Sequence, residues 1–233
     1  MINKIKSVLK SNLFLWKLSL LVIAPKRFFS LFPKYNIKGR GNKIKVERSA
    51  RLYNCTFQIC GDKNLIWIDK NVIAHRLKFN IIGDCHSIRI LQNIQFNRSG
   101  IIWVEDNNCT IEIGRDSTFE EVHIAATEPH SKISIGEDCM FATGIEVRTG
   151  DSHSLLDNNS RKRINYAKDV IIGNKVWVAS NSSILKGSVI GSNSVVATRA
   201  VVTGSFEESN ILIGGIPAKK LKEHIDWTRE RIP

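Results

Sequence analysis

One histidine stands in a setting suited to proton transfer. His153 lies in Gly150-Asp-Ser-His-Ser-Leu-Leu-Asp-Asn-Asn-Ser-Arg-Lys-Arg-Ile-Asn, a polar, turn-rich stretch. Neutral imidazole can take the proton of a weak nucleophile, such as a hydroxyl, near pH 7. Asp151, two residues earlier, is a candidate to orient the ring. Trp177 follows 24 residues after His153 and carries an indole N–H able to donate to an oxyanion or an acceptor. Arg161, Lys162 and Arg163 can meet an anionic ligand or remain solvated. The other histidines are His75, His86, His123, His130 and His224. His123 and His130 are seven apart and no third histidine sits at a convincing spacing, so no metal site, and no zinc carbonic anhydrase, is expected.

What positions His153 is legible as a repeat. Stepping by six from Ile172 gives Val178, Ile184, Ile190, Val196 and Val202, all β-branched aliphatics. The same register surfaces upstream in three triplets: Ile82, Ile88, Ile94; Ile113, Phe119, Ala125; and Ile135, Phe141, Val147. Tags of the form Ile-Gly-Asp, Ile-Gly-x-Asp or Ile-Gly-(Ser)-Asn start at 82, 113, 135, 172 and 190. A period of six fits neither an α-helix nor a plain strand. It fits a solenoid in which each hexad is one short strand plus a turn, with one aliphatic pointing inward. Three hexads close a triangular coil, and Gly or Asn at its corners tolerates left-handed backbone angles. No hexad can be followed between Val147 and Ile172. A long loop on a rigid scaffold is a usual place for function.

These segments resemble the hexapeptide-repeat acyltransferases, in particular those that acetylate sugars of bacterial surface polysaccharides. The matching residues are Asp151-Ser-His-Ser-Leu, Asn165-Tyr-Ala-Lys-Asp-Val-Ile-Ile-Gly-Asn, Val176-Trp-Val-Ala, Ile184-Leu-Lys-Gly, Ile190-Gly-Ser-Asn-Ser-Val-Val-Ala and Gly214-Gly-Ile-Pro-Ala-Lys. They cover about residues 135–220; residues 36–134 match only through the weak repeat. The resemblance implies an all-β, left-handed parallel β-helix; an N-terminal amphipathic helix and a short C-terminal helix complete the expected fold. It implies direct acetyl transfer from acetyl-CoA to a saccharide hydroxyl, with His153 as general base, Asp151 behind it and Trp177 beside it. It places the pantetheine arm along the coils, bonded to backbone amides near Ala179 and Ala197. The adenosine phosphates fall near Gly214, Pro217, Lys219 and Lys220, with Arg199 standing where the family usually has a small residue. It also implies a homotrimer with active sites between subunits. N-acetylation of an amino sugar and a non-catalytic, glycan-binding β-helix are the alternatives.

Composition bounds the rest. Of the net charge of +12 over 233 residues, residues 1–35 hold seven cations and no acid. Ile2, Ile5, Leu9, Leu13, Trp16, Leu20 and Ile23 recur at helical spacing there. The densest apolar run, Leu13 to Ala24, is 12 residues and contains Lys17. A bilayer span needs about 20 residues, so peripheral binding to an anionic membrane fits better, with packing on the protein or a signal peptide as alternatives. No basic stripe with interleaved aromatics points to nucleic acid. Five scattered cysteines without a C-x-x-C pair favour a reducing compartment, and the expected location is the cytoplasm, at the inner face of the membrane. The expected organisation is 1–35 anchor, 36–210 β-helix with a catalytic loop at 148–169, and 211–233 a tail closing the coenzyme A site.

Overall fold

A computed structural model describes residues 32–233. The expected amphipathic helix and membrane anchor fall almost wholly outside these residues. Among the described residues no helix is long and apolar enough to cross a membrane.

The described chain is a parallel β-solenoid of eight coils, three strands to a coil. The first wall stacks Lys34–Lys38, Thr56–Cys60, Leu77–Asp84, residues 100–107, residues 122–126, Ile145–Arg148, Ser183–Ile184 and Val201–Val202. The second stacks Lys43–Val46, Leu65–Ile68, Ser87–Ile90, Thr110–Ile113, Lys132–Ile135, Val170–Ile172, Val189–Ile190 and Ser205–Phe206. The third stacks Arg51–Tyr53, Ile73–His75, residues 95–96, residues 118–119, Met140–Phe141, Trp177–Val178, Val195–Val196 and Leu212–Gly215. The strand amides pair with neighbouring coils, so the ladder runs along the solenoid axis without a separate partner sheet.

The hexad register is the core. Ile172, Val178, Ile184, Ile190, Val196 and Val202 are all at most 2% exposed. Val178 pairs with Val196 and Ile184 with Val202, 18 residues on, which is three hexads. The early coils are wider. Phe57 pairs with Phe79 and Ile66 with Ile88, 22 residues on. The extra width is filled by aromatics: Tyr35, Phe57 and Phe79 stack at 4.9 and 4.4 Å, and Phe96, Phe119 and Phe141 at 4.7 and 4.8 Å. Each fully buried Phe contributes roughly 1.5–3 kcal/mol.

This width corrects one upstream triplet. Ile88 and Ile94 are buried, but Ile82 is 42% exposed. In a 22-residue coil a six-residue step drifts off the inward position. The tag at Ile82 also belongs to a different corner. Gly39, Gly61 and Gly83 form a column with positive φ, and a Cβ on Gly61 would lie 1.9 Å from the Gly83 carbonyl oxygen. The later tags form another column, Gly114, Gly136, Gly173 and Gly191. A Cβ on Gly136 would lie 2.5 Å from the Gly173 oxygen.

The expected C-terminal helix is absent from the described residues. Ala218–Lys222 instead turns back antiparallel on Leu212–Gly215 and covers the last coil's edge. The residues beyond run as a strap along the corner between the second and third walls. Ile225 N donates to Asn210 O at 2.9 Å, and Trp227 Nε1 to Lys175 O at 2.8 Å. Arg229 reaches Asp138 at 3.0 Å and Thr118 Oγ1 at 2.8 Å. All five cysteines are free; Cys55, Cys109 and Cys139 are buried fillers, while Cys60 and Cys85 are exposed. Burial pushes the Cys55 and Cys139 thiols up to about 11.

Candidate active site

The interruption of the repeat is a loop that leaves the first wall after Arg148 and rejoins the second wall at Val170. Ile133 accordingly pairs with Val170, 37 residues on. The loop has almost no ladder of its own; one antiparallel bridge joins Leu156 and Arg163. A buried side chain holds it instead. Asn165, 7% exposed, donates from Nδ2 to Asp151 Oδ2 and to the His153 carbonyl, both at 2.8 Å. Its Oδ1 accepts from Leu155 N at 2.7 Å and from Arg163 Nε at 3.2 Å. Arg163 also pairs with Glu128 on the preceding coil, which ties the loop to the solenoid body.

His153 is exposed, and its backbone is fixed by Asn165 while its ring has no hydrogen-bond partner among the described residues. The ring is thus placed but free to meet a substrate. Asp151 lies in the same cluster, yet its carboxylate is directed to Lys186 and Asn165 rather than to the imidazole. Partial desolvation pushes the Asp151 pKa up, but the hydrogen bonds from Lys186 and Asn165 outweigh it and hold it below the ordinary carboxylate range. Lys186 also donates to Asn165 O at 3.1 Å. Arg161 and Lys162 are exposed on the loop, whereas Arg163 is committed within it.

Trp177 lies on the third wall, pointing outward, with Val178 inward. The loop leaves from the corner between the first and second walls, which in a triangular coil is the corner opposite the third. One chain therefore does not bring Trp177 to His153. Nor is the indole bare: Trp227 of the strap lies at 6.2 Å, centroid to centroid.

Three of the residues expected to meet the cofactor, Ala179, Ala197 and Gly214, fall in one column. Val178, Val196 and Ile213 stack, so Ala179, Ala197 and Gly214 follow one another at the edge of the third wall. A Cβ on Gly214 would sit 2.8 Å from the Ala197 methyl, so glycine keeps this column flat. The Ala179 and Ala197 N–H groups donate to Val196 O and Ile213 O, at 2.9 and 2.8 Å. These two N–H groups are therefore already paired within the solenoid. Arg199 occupies the next corner with φ 59°, where earlier coils place Asn181 and Gly144. Pro217 and Lys219 are exposed beside the Gly215–Ala218 turn. Lys220 is held by Glu208 at 2.8 Å and by Glu223, and these hydrogen bonds raise its pKa.

Of the remaining histidines, His86 is buried: its Nδ1 accepts from Cys109 N at 3.1 Å and Nε2–H donates to Ile82 O at 3.2 Å. Burial lowers its pKa. No metal-ligating cluster occurs among the described residues. The sequence reading missed two functional supports, Asn165 and Trp227. Asn165 stood in a matched motif without a role. Trp227 gave no signal, because its neighbour Trp177 is 50 residues away.

Stacked three-walled coils interrupted by a loop that carries an exposed histidine are the features of a hexapeptide-repeat transferase. Residues 169–204 match the family "Bacterial transferase hexapeptide (six repeats)". A polysialic acid O-acetyltransferase of Neisseria meningitidis is 34% identical over 196 residues, covering 84% of this chain and 90% of that protein. The crystal structure of the polysialic acid O-acetyltransferase OatWY superposes with a TM-score of 0.79 at 32% identity, covering 85% of this chain and 92% of the other. That of the polysialic acid-specific acetyltransferase NeuO gives 0.76 at 31%, covering 85% and 89%. The chain belongs to the hexapeptide-repeat O-acetyltransferases. It is an enzyme, and its solenoid is a left-handed parallel β-helix.

Proposed function

We propose that the chain transfers the acetyl group of acetyl-CoA to a hydroxyl of a surface saccharide, with His153 as general base. The observation that carries this is the buried Asn165 clamp, which fixes the His153 backbone while leaving its ring free. The imidazole takes the hydroxyl proton as the oxygen attacks the thioester carbonyl. The tetrahedral intermediate collapses with expulsion of the thiolate, which regains the proton. General-base help of this kind is worth about 100- to 10,000-fold. Asp151 acts one step back, as one of the three members of the Asp151–Lys186–Asn165 cluster that sets the loop.

The flat column Ala179, Ala197, Gly214 suits an extended pantetheine arm, and the exposed Lys219 is free to face its phosphates. The His153 loop leaves from the corner between the first and second walls, whereas this column lines the edge of the third. A complete site therefore needs the loop of one chain over the third wall of another, and a homotrimer closes such contacts cyclically. Association with the cytoplasmic face of the membrane completes the proposal, on the strength of the seven cations of residues 1–35. The test is complementation. Chains carrying His153→Ala are co-expressed with chains carrying Ala197→Trp. Each alone should be nearly inactive, and mixed oligomers should regain part of the activity. A fully active monomer, or mixed oligomers with no recovery, would refute the shared site.

A further inference from the structure

The charge of this solenoid is divided along its axis. Residues 34–98, coils one to three with the turn that follows, hold thirteen Lys and Arg against four Asp and Glu, a net of +9. Residues 99–233 hold fifteen against eighteen, a net of −3. One end of the solenoid is therefore strongly basic and the rest slightly acidic. The few acids at that end are partly engaged with backbone: Asp62 accepts from Arg40 N and Asp84 from Asp62 N, both at 2.7 Å.

Five of these thirteen cations, Arg40, Lys43, Lys45, Lys63 and Arg89, lie on the second wall or at its corner with the first. On the second wall, Lys45, Trp67, Arg89, Glu112, Ser134 and Ile171 pair in register and stack as one outward column. Ile171 lies in the strand that the loop feeds. Trp67 is 38% exposed, with Lys45 Nζ 4.5 Å above its ring and also paired with Glu47 at 3.0 Å, and Arg89 follows on the next coil. Arg40, Lys43 and Lys63 flank this column, exposed and without an ion-pair partner among the described residues. An aromatic face between cations suits an anionic sugar: the ring stacks on the apolar face and the cations meet carboxylates. Coils lie about 4.8 Å apart, so Arg89 on coil three is about 14 Å from coil six, where the loop joins.

We infer that the second wall of coils one to three is a distal subsite for an anionic glycan chain whose reacting sugar lies at the His153 loop. This rests on the saccharide reading above and adds to it the surface along which an anionic acceptor chain lies beyond its reacting sugar. Like charges massed on one surface repel one another until a polyanion neutralises them, so binding weakens as salt rises.

The test uses the full chain with polysialic acid as the anionic probe, neutral dextran of similar length, and phosphatidylserine vesicles. Wild-type protein should bind the polysialic acid chain, more weakly at higher salt, and should ignore dextran. Lys43→Glu/Lys45→Glu/Arg89→Glu should weaken that binding at least tenfold, and Trp67→Ala several-fold, with acetyl-CoA binding unchanged in both. With acetyl-CoA, KM for long chains should rise in the variants while kcat, and KM for sialic acid dimers, stay as in wild type. Unchanged chain binding in both variants would overturn the subsite. So would an equal loss for dimers and long chains, or variants that lose vesicle binding but keep the glycan. Wild-type protein that transfers acetyl to no glycan, yet binds the chain through these residues, would overturn the saccharide reaction and with it the acceptor role of this wall.

Discussion

Asn165→Ala should disable the site without unfolding the solenoid. The side chain makes four hydrogen bonds, to Asp151, the His153 carbonyl, Leu155 N and Arg163 Nε. Each is worth about 1 kcal/mol net, and a buried amide that loses partners forfeits somewhat more. About 3–4 kcal/mol of loop order is then lost, against roughly 1.4 kcal/mol per tenfold in an equilibrium. That loosening alone corresponds to about 100- to 1,000-fold in the population of the working loop, and a misplacement of about 1 Å is known to cost rates of that order, so turnover should fall by about 100- to 1,000-fold. The strands on either side keep their ladder, so the thermal midpoint should drop by only a few degrees. Acetyl-CoA binding, measured by calorimetry, should hold. Asn165→Asp should do no better, since it removes both Nδ2 donors and sets a carboxylate against Asp151. Near-normal turnover in Asn165→Ala, or a loss of activity matched by global unfolding, would refute the assignment of Asn165 as the clamp.

Other perturbations report on the scaffold and its pH response. His86 is buried neutral with a lowered pKa, so the unfolded state, titrating near pH 6.5, binds the proton first. Stability should hold above that pH and fall as pH drops from about 6.5 toward 5, and a thermal-melt series in which His86→Gln shows the same slope would reject this. The Asp151 pKa is depressed, so its contribution to loop order is present above the unfolded carboxylate pKa and lost as pH falls through the folded one. Protection of the Leu155 amide from hydrogen exchange should therefore persist at pH 5 and fade only in stronger acid, and Asp151→Asn should remove that dependence. Gly136→Ala drives a methyl group to 2.5 Å from the Gly173 carbonyl and should destabilise by about 3 kcal/mol or more, read from denaturant unfolding. Trp227→Ala should uncover Trp177, shifting tryptophan emission to longer wavelength while the coils stay folded.

The later coils were legible because 18 residues divide into three equal hexads, each with one inward aliphatic. Ile172 to Val202 could be placed in the core without coordinates. The 22-residue coils obey the same physics at a width that six does not divide, so Ile82 was misplaced and the Phe57–Phe79 stack went unseen. His153 was legible as a break in a repeat. Its support was not, since the hydrogen bonds of Asn165 depend on a loop conformation that no period encodes. The strap was misread as a helix because its stability comes from Trp227 and Arg229 binding coils that lie far away in sequence. The opposition of Trp177 and His153 is likewise a property of the closed triangle, invisible until the walls are assigned.

The central claim is that His153 drives acetyl transfer to a sugar hydroxyl. It is tested most directly by incubating purified protein and its His153→Ala variant with acetyl-CoA and a panel of surface glycans, then weighing the products. Wild-type protein should add an acetyl group that mild alkali removes, as an ester requires. The variant should bind acetyl-CoA as well but form product about 100- to 10,000-fold more slowly. An adduct stable to alkali would mean an amide rather than an ester. A His153→Ala variant with wild-type rates would show that the base lies elsewhere.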